Sequence, residues 1–298
     1  MKMWVDGMRG IFFVSVNGAL IFVFLLFTFA LASGQGLPVA APQTVGMNAA
    51  KLNQIDALVA EAIKDKKMPG AVVLIGHRGK IVFRKAYGNR SLVPTVEPMT
   101  LDTIFDLASL TKVVATTTSI MILVEQGKLR LTDTIGMYIP DIDDAQAKRI
   151  TIQQLLTHTS GYAPDFDLKE KWTGREGMLA ALKKEKLRTP PGTKFVYSDI
   201  EFIVLGEIVN RISNNSLAWF VSKNIFGPLG AARSGFKECN KLVDPSDPEP
   251  YWCKKPGDQQ FAPTENIRGQ NSYANLGLTF EGDEKTGNQI LRGQVHDP

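Results

Sequence analysis

The chain has 298 residues, room for one large or two small domains at about 150 residues each. With 44% apolar and 21% charged residues it has the composition of a globular protein, since a disordered chain is poorer in apolar groups and richer in charge. Its 34 basic and 30 acidic residues leave a net charge of +4 with no long basic block. That excludes a nucleic-acid partner held by phosphate neutralisation, which needs clustered Lys and Arg. The three histidines (His77, His158 and His296) lie far apart, and with two cysteines they make no metal-ligand spacing. Neither a metal nor an organic cofactor is expected.

The chain opens with Lys2 and Arg9 ahead of an uncharged stretch whose core, Ala19 to Leu31, is almost wholly apolar, followed by Ala30-Leu31-Ala32. A positive flank, an apolar run and an A-x-A site describe a secretory leader cleaved after Ala32. The run over residues 11–31 is also about long enough to span a bilayer, so residues 1–32 read either as a signal peptide or as a retained anchor, the chain's one membrane contact. Both readings export the rest, to the periplasm or the extracellular space. There Cys239 and Cys253 could form a disulfide or remain free thiols.

Residues 33–47, rich in Gly and Pro, form a linker or extended lead-in to a domain over 48–298. Asn48 is a helix cap ahead of Leu52, Ile55, Val59 and Ile63 on one stripe, and Pro69-Gly70 ends that helix. Two β-rich runs, Ala71 to Gly76 and Lys80 to Tyr87, flank a His77-Arg78-Gly79 turn and predict a hairpin. From Ala108 a long helix is predicted, with Leu110, Val113, Val114, Thr117, Met121 and Val124 at helical spacing and Gly127 as its C-terminal cap. Further helices are expected after Thr151 and after Ser198, the latter with Ile200, Ile203, Val204, Ile208 and Ile212 on one face. Residues 237–298 are expected to be mostly loop, and no internal repeat is visible.

The sharpest local feature is Ser109-Leu110-Thr111-Lys112. A serine hydroxyl is a poor nucleophile until a base takes its proton, and a lysine three residues on returns over it on the same helical face. Burial would lower the lysine pKa, and the helix N-terminus would favour an oxyanion at Ser109. A tetrapeptide of this kind is common by chance, so the weight falls on a second element: Pro190-Pro191-Gly192 leading into Tyr197-Ser198-Asp199. A tyrosine on such a loop can face a cleft and carry a proton between serine, lysine and a leaving group.

Ser109-x-x-Lys112, the stretch Leu155-Leu156-Thr157-His158-Thr159-Ser160-Gly161, and Pro190-Pro191-Gly192 before Tyr197-x-Asp199 together resemble the penicillin-recognising serine hydrolases. The similarity is to the class C β-lactamase-like branch, with its esterases and D-peptidases. It runs from about Asn48 to Gly230 and continues weakly through Ala262 to Glu265 and Leu291 to Asp297. The resemblance implies an α+β, β-lactamase/transpeptidase-like fold, with an antiparallel sheet flanked by helices and a helical subdomain. It makes Ser109 the acylated nucleophile, Lys112 its activating neighbour and Tyr197 the proton shuttle. Asp199, His158 and Ser160 are expected to bind substrate or support the site. His158 is read as supporting because no carboxylate lies within sequence reach of it.

Two departures bear on mechanism. Many relatives carry Asn where this chain has Asp199, and a carboxylate there would pair with Lys112, raise its pKa and move the base role towards Tyr197. Relatives also supply a third motif, Lys-Thr-Gly or His-x-Gly, on a strand that gives the second oxyanion donor. Lys285-Thr286-Gly287 spells that triplet, but its polar, β-poor setting reads as a surface turn. The resemblance places the true third motif after the region of Leu291 to Asp297, so the last strands and C-terminal helix are expected to be missing from these 298 residues. Only the two strands of the first hairpin are recognisable. Loss of one oxyanion donor costs on the order of 100-fold or more in rate.

The expected function is an exported serine hydrolase forming an acyl-enzyme with an ester, an amide or a β-lactam, its substrate a small molecule or a cell-wall peptide. The alternative is a non-catalytic envelope protein that retains the scaffold for binding or structure. A Ser-His-Asp hydrolase is set aside because no G-x-S-x-G elbow is present.

Overall fold

Asn48 begins the first helix as its spacing predicts: its side chain accepts a hydrogen bond from the Lys51 N–H, and α1 runs Ala49–Lys64. The computed structural model describes residues 36–93, 95–167, 174–236, 262–266 and 290–292. The leader or anchor, Cys239, Cys253, Lys285-Thr286-Gly287 and His296 lie outside the described residues. Among the described residues no helix is long and apolar enough to cross a membrane.

The hairpin follows α1. β1 (Gly70–His77) and β2 (Lys80–Ser91) are antiparallel, with Ala71 opposite Tyr87 and His77 opposite Lys80. The turn between them holds Arg78 at φ 50° and Gly79 at φ 71°, the left-handed backbone that closes a tight hairpin. Half-buried His77 ends β1, away from any catalytic cluster described below. Leu52 of α1 packs on Val82 and Val45, and Asp56 ties the helix to β2 by accepting from Lys85 Nζ at 2.8 Å and the Tyr87 hydroxyl at 2.6 Å.

The lead-in joins this layer as well, since Val39 bridges Ile81 in parallel fashion. On the other edge of β2 lies β3 (Glu97–Pro98), giving the order β1-β2-β3. A separate antiparallel pair joins β4 (Pro263–Asn266) to β5 (Ile290–Arg292). These findings correct one expectation: among the described residues more than the first hairpin is strand. All three added strands are two to four residues long, too short for alternation to show.

The long helix is real but its register differs from the expected one. Residues Lys112–Thr117 form a π-helical turn that continues into α2 (Thr118–Glu125), with Gly127 in the left-handed region after it. Leu110, Val113, Val114 and Met121 are exposed, whereas Ala115, Thr116, Ser119, Ile120 and Leu123 are buried. The wider turn takes up more than the usual residues per revolution, and the face that a regular 3.6-residue period assigns to the core is rotated outward.

The main core is helical. α3 (Ile135–Tyr138), α4 (Ile152–Leu156) and α5 (Gly174–Lys184) surround α6 (Asp199–Ser213). Ile200, Val204, Leu205, Ile208 and Val209 of α6 are fully buried against Ile120, Leu123, Ile150, Leu155 and Leu182. α7 (Leu217–Val221) then closes a smaller cluster of Val221, Ile225 and Phe226 on Ala115. An α+β arrangement results, a helix-backed antiparallel sheet beside a helical subdomain.

Thr151 starts α4 with a full capping box. Its hydroxyl accepts from the Gln154 N–H while the Gln154 side chain accepts from the Thr151 N–H. Thr151→Ala should therefore cost about 1 kcal/mol of stability. Urea unfolding would check this, and an unchanged midpoint would contradict it.

Candidate active site

Ser109 stands where the chain turns into its long helix. Asp106 Oδ1 accepts from the Ala108 N–H at 2.8 Å, and Ala108 is held at φ 42°, a left-handed conformation costing about 1–2 kcal/mol for alanine. Tight i to i+3 hydrogen bonds follow, Thr111 N to Ala108 O at 2.9 Å and Lys112 N to Ser109 O at 3.2 Å. The strained residue thus sits immediately before the candidate nucleophile. Ser109 itself is exposed.

Lys112 opens the π-helical turn and reaches back as the spacing predicts, donating from Nζ to Ser109 Oγ at 3.1 Å. The same ammonium pairs with Asp199 Oδ1 at 2.5 Å and lies 5.1 Å from the centroid of the Tyr197 ring. Asp199 is the first residue of α6, where the helix dipole favours a carboxylate. Burial pushes the Lys112 pKa down, but the Asp199 carboxylate and the Tyr197 hydroxyl outweigh it and hold the pKa above the ordinary lysine value. Two unit charges about 4 Å apart already attract by about 4 kcal/mol at an effective dielectric constant of about 20, and this pair is closer. The pairing that the carboxylate at residue 199 leads one to expect thus outweighs the lowering by burial, and it favours the charged form of Lys112.

Tyr197 reaches the same place from a loop stitched to the residues around His158. Gly192 N donates to Thr159 O at 2.7 Å, Val196 N to His158 O at 2.9 Å and Asp199 N to Pro164 O at 2.8 Å. Gly161, at φ 90°, allows the close approach on the other side: a Cβ there would lie 2.1 Å from Thr189 O. Tyr197 remains 44% exposed while its ring is held against His158. Ser109, Lys112, Asp199 and Tyr197 are thus brought together, from segments nearly 90 residues apart in sequence.

His158 and Ser160 form the wall behind Tyr197. The His158 ring packs on Tyr197 at 4.5 Å between centroids, on Phe202 at 5.2 Å and edge-on to Phe195 at 5.9 Å. Its Nδ1 is paired with Glu201 Oε2, so the absence of a nearby carboxylate in sequence misleads: the partner lies 43 residues on. Ser160 is fully buried; its N–H donates to Glu201 Oε1 at 3.0 Å and its Oγ accepts from the Tyr162 N–H at 3.1 Å. Glu201 is itself 1% exposed. Burial raises its pKa, against the lowering effect of Ser160 and His158.

Sequence reasoning passes over Glu201, although a signal exists: it occupies the stripe of α6 shared with Leu205 and Ile208, where an apolar residue belongs.

Comparison with known proteins bears on the family and the fold. The family model described as Beta-lactamase matches residues 55–268. A curated relative from Escherichia coli (strain K12), named "Putative D-alanyl-D-alanine carboxypeptidase", is 30% identical over 277 residues, covering 87% of this chain and 59% of the relative. A solved structure of a beta-lactamase/D-alanine carboxypeptidase from Pseudomonas syringae is 26% identical with a TM-score of 0.55, covering 61% of this chain and 50% of that one. EstCE1, a hydrolase with promiscuous acyltransferase activity, is 27% identical with a TM-score of 0.52, over 60% of this chain and 51% of that one. The chain spans between half and three-fifths of the length of the first curated relatives it matches. The matched region contains every residue of the cluster around Ser109, and the chain belongs to the beta-lactamase family of serine hydrolases.

Proposed function

We propose that the protein is an exported hydrolase that forms an acyl-enzyme at Ser109 on D-alanyl peptides or on related ester and β-lactam acyl donors. The 3.1 Å contact of Lys112 Nζ with Ser109 Oγ, made by a lysine that also meets Asp199 and Tyr197, carries this reading. The names of the carboxypeptidase and esterase relatives support the choice of acyl donors. The apolar leader or anchor over residues 1–32 supports export.

In this mechanism Ser109 Oγ attacks the carbonyl carbon and the carbonyl oxygen takes the negative charge near the N-terminal end of the helix. Lys112, charged, orients Oγ and stabilises that charge. Tyr197 then accepts the serine proton as its own hydroxyl proton passes to the leaving group. Water repeats the sequence in reverse and frees the acid. Labelling by a fluorescent penicillin and by a fluorophosphonate, together with D-alanine release from a peptide ending in D-Ala-D-Ala, tests the reading. A folded protein that neither probe labels would refute it.

Asp199→Asn separates a charged Lys112 from a neutral one. Lys112's folded-state pKa is raised, so its charge persists through neutral pH and is lost only as pH rises through that raised value. Removing the carboxylate takes away its raising effect on Lys112 and so lowers the pKa. The alkaline limb of the acylation profile should then move to lower pH, with slower acylation at pH 7. Faster acylation at neutral pH, or an unchanged profile, would contradict the assignment.

A further inference from the structure

Two acids of α6 are almost fully buried, Glu201 and Glu207, and a buried carboxylate costs several kcal/mol unless it is well paired. Glu207 has a structural explanation, since Arg175 and Arg211 bind it from both sides. Among the described residues Glu201 meets no Lys or Arg; its partners are His158 Nδ1 and Ser160, both in the segment that backs Tyr197. An apolar side chain would serve packing better on this buried stripe, which Glu201 shares with Leu205 and Ile208.

The placement of α6 suggests what the acid does instead. Its first turn carries two carboxylates, two residues apart: Asp199 holds Lys112, and Glu201 holds His158. Those two held groups flank Tyr197, the ammonium 5.1 Å and the imidazole 4.5 Å from its ring centroid. His158 is at φ 55°, so the Glu201 contact at Nδ1 fixes the plane of a ring whose left-handed backbone already sets it against Tyr197. We propose that Glu201 is a positioning residue, acting through His158 to hold the Tyr197 phenol in register with Ser109 and Lys112. The proposal rests on the acyl-serine reading given above for its catalytic consequence, but its structural content does not.

The groups facing Glu201 are His158, Ser160 and Tyr162, so Glu201→Gln keeps the shape and the acceptor for Ser160 while removing the carboxylate. Acylation by an activated ester should slow about 10- to 100-fold at unchanged KM, with the thermal midpoint held. Glu201→Gln combined with His158→Phe should be no slower than His158→Phe alone, because the acid acts only through the ring. The ring proton NMR signals of Tyr197 supply a readout independent of turnover and should shift in Glu201→Gln. Unmoved Tyr197 signals, a wild-type acylation rate in Glu201→Gln, or additive losses in the double variant would each overturn the proposal. A wild-type protein that never acylates while its Tyr197 signals still respond to Glu201→Gln would refute the hydrolase reading and leave the positioning intact.

Discussion

Ser109→Ala is expected to lower hydrolysis of an activated ester by about 10,000-fold or more, with the fold retained. The size of the effect follows from the geometry. Lys112 reaches the Ser109 hydroxyl and lies over the Tyr197 ring, and a hydroxyl that makes the covalent bond has no substitute among groups that only move protons or stabilise charge. Because Ser109 is exposed at a helix start, its removal leaves no cavity and no buried polar group unpaired, so stability should scarcely change. Steady-state rates on a nitrophenyl ester, with circular dichroism as the control for folding, check both halves. A variant that keeps a tenth of the activity would place the chemistry elsewhere.

The second large effect is on stability and lies away from the chemistry. Glu207 is buried in α6 and is held by Arg175 through two hydrogen bonds, of 2.8 and 2.6 Å, and by Arg211 through one of 2.6 Å. Arg211 also donates to the Tyr138 carbonyl at 2.9 Å. The cluster ties α5, α6 and α3 together. Arg175→Ala with Arg211→Ala strands the carboxylate, at a cost of about 3–5 kcal/mol. Adding Glu207→Leu to that variant should recover much of the loss, since an apolar residue in the core has no desolvation penalty to offset. Urea midpoints of the double and triple variants measure this; a double variant within 1 kcal/mol of the wild type would contradict it.

Much of the site was legible because its residues carry their signals locally. Ser109 and Lys112 share one turn, Asn48 and Thr151 are caps followed by apolar stripes, and Gly79 marks a hairpin between two β-rich runs. What escaped depends on contacts between distant segments. The residue at position 199 suggested the pairing with Lys112, but that it outweighs burial shows only in the ion pair itself, between residues 87 apart. The π-helical turn cannot be seen in residue spacing, and it turns Leu110 and Val113 outward. Helix α5 offers only Met178, Ala181 and Leu182 to the core, too few apolar positions to mark a period. Glu201 was hidden by the same logic that found α6: a stripe is read from its apolar members, and the one acid within it passes for a surface residue.

The family membership gives the fold its context, and the details of this chain give its mechanism a particular form. A carboxylate at residue 199 keeps Lys112 charged, and a buried acid at residue 201 braces the imidazole behind Tyr197. One helix start thereby organises both sides of a tyrosine that reaches the site from a loop.

Covalent capture tests the whole construction most directly. The protein would be treated with a fluorophosphonate, digested with trypsin and analysed by fragment-ion mass spectrometry. The adduct should lie on Ser109, within the peptide that ends at Lys112, and its yield should fall sharply in Tyr197→Phe. An adduct on another residue, or a Tyr197→Phe protein labelled as fast as the wild type, would contradict the account.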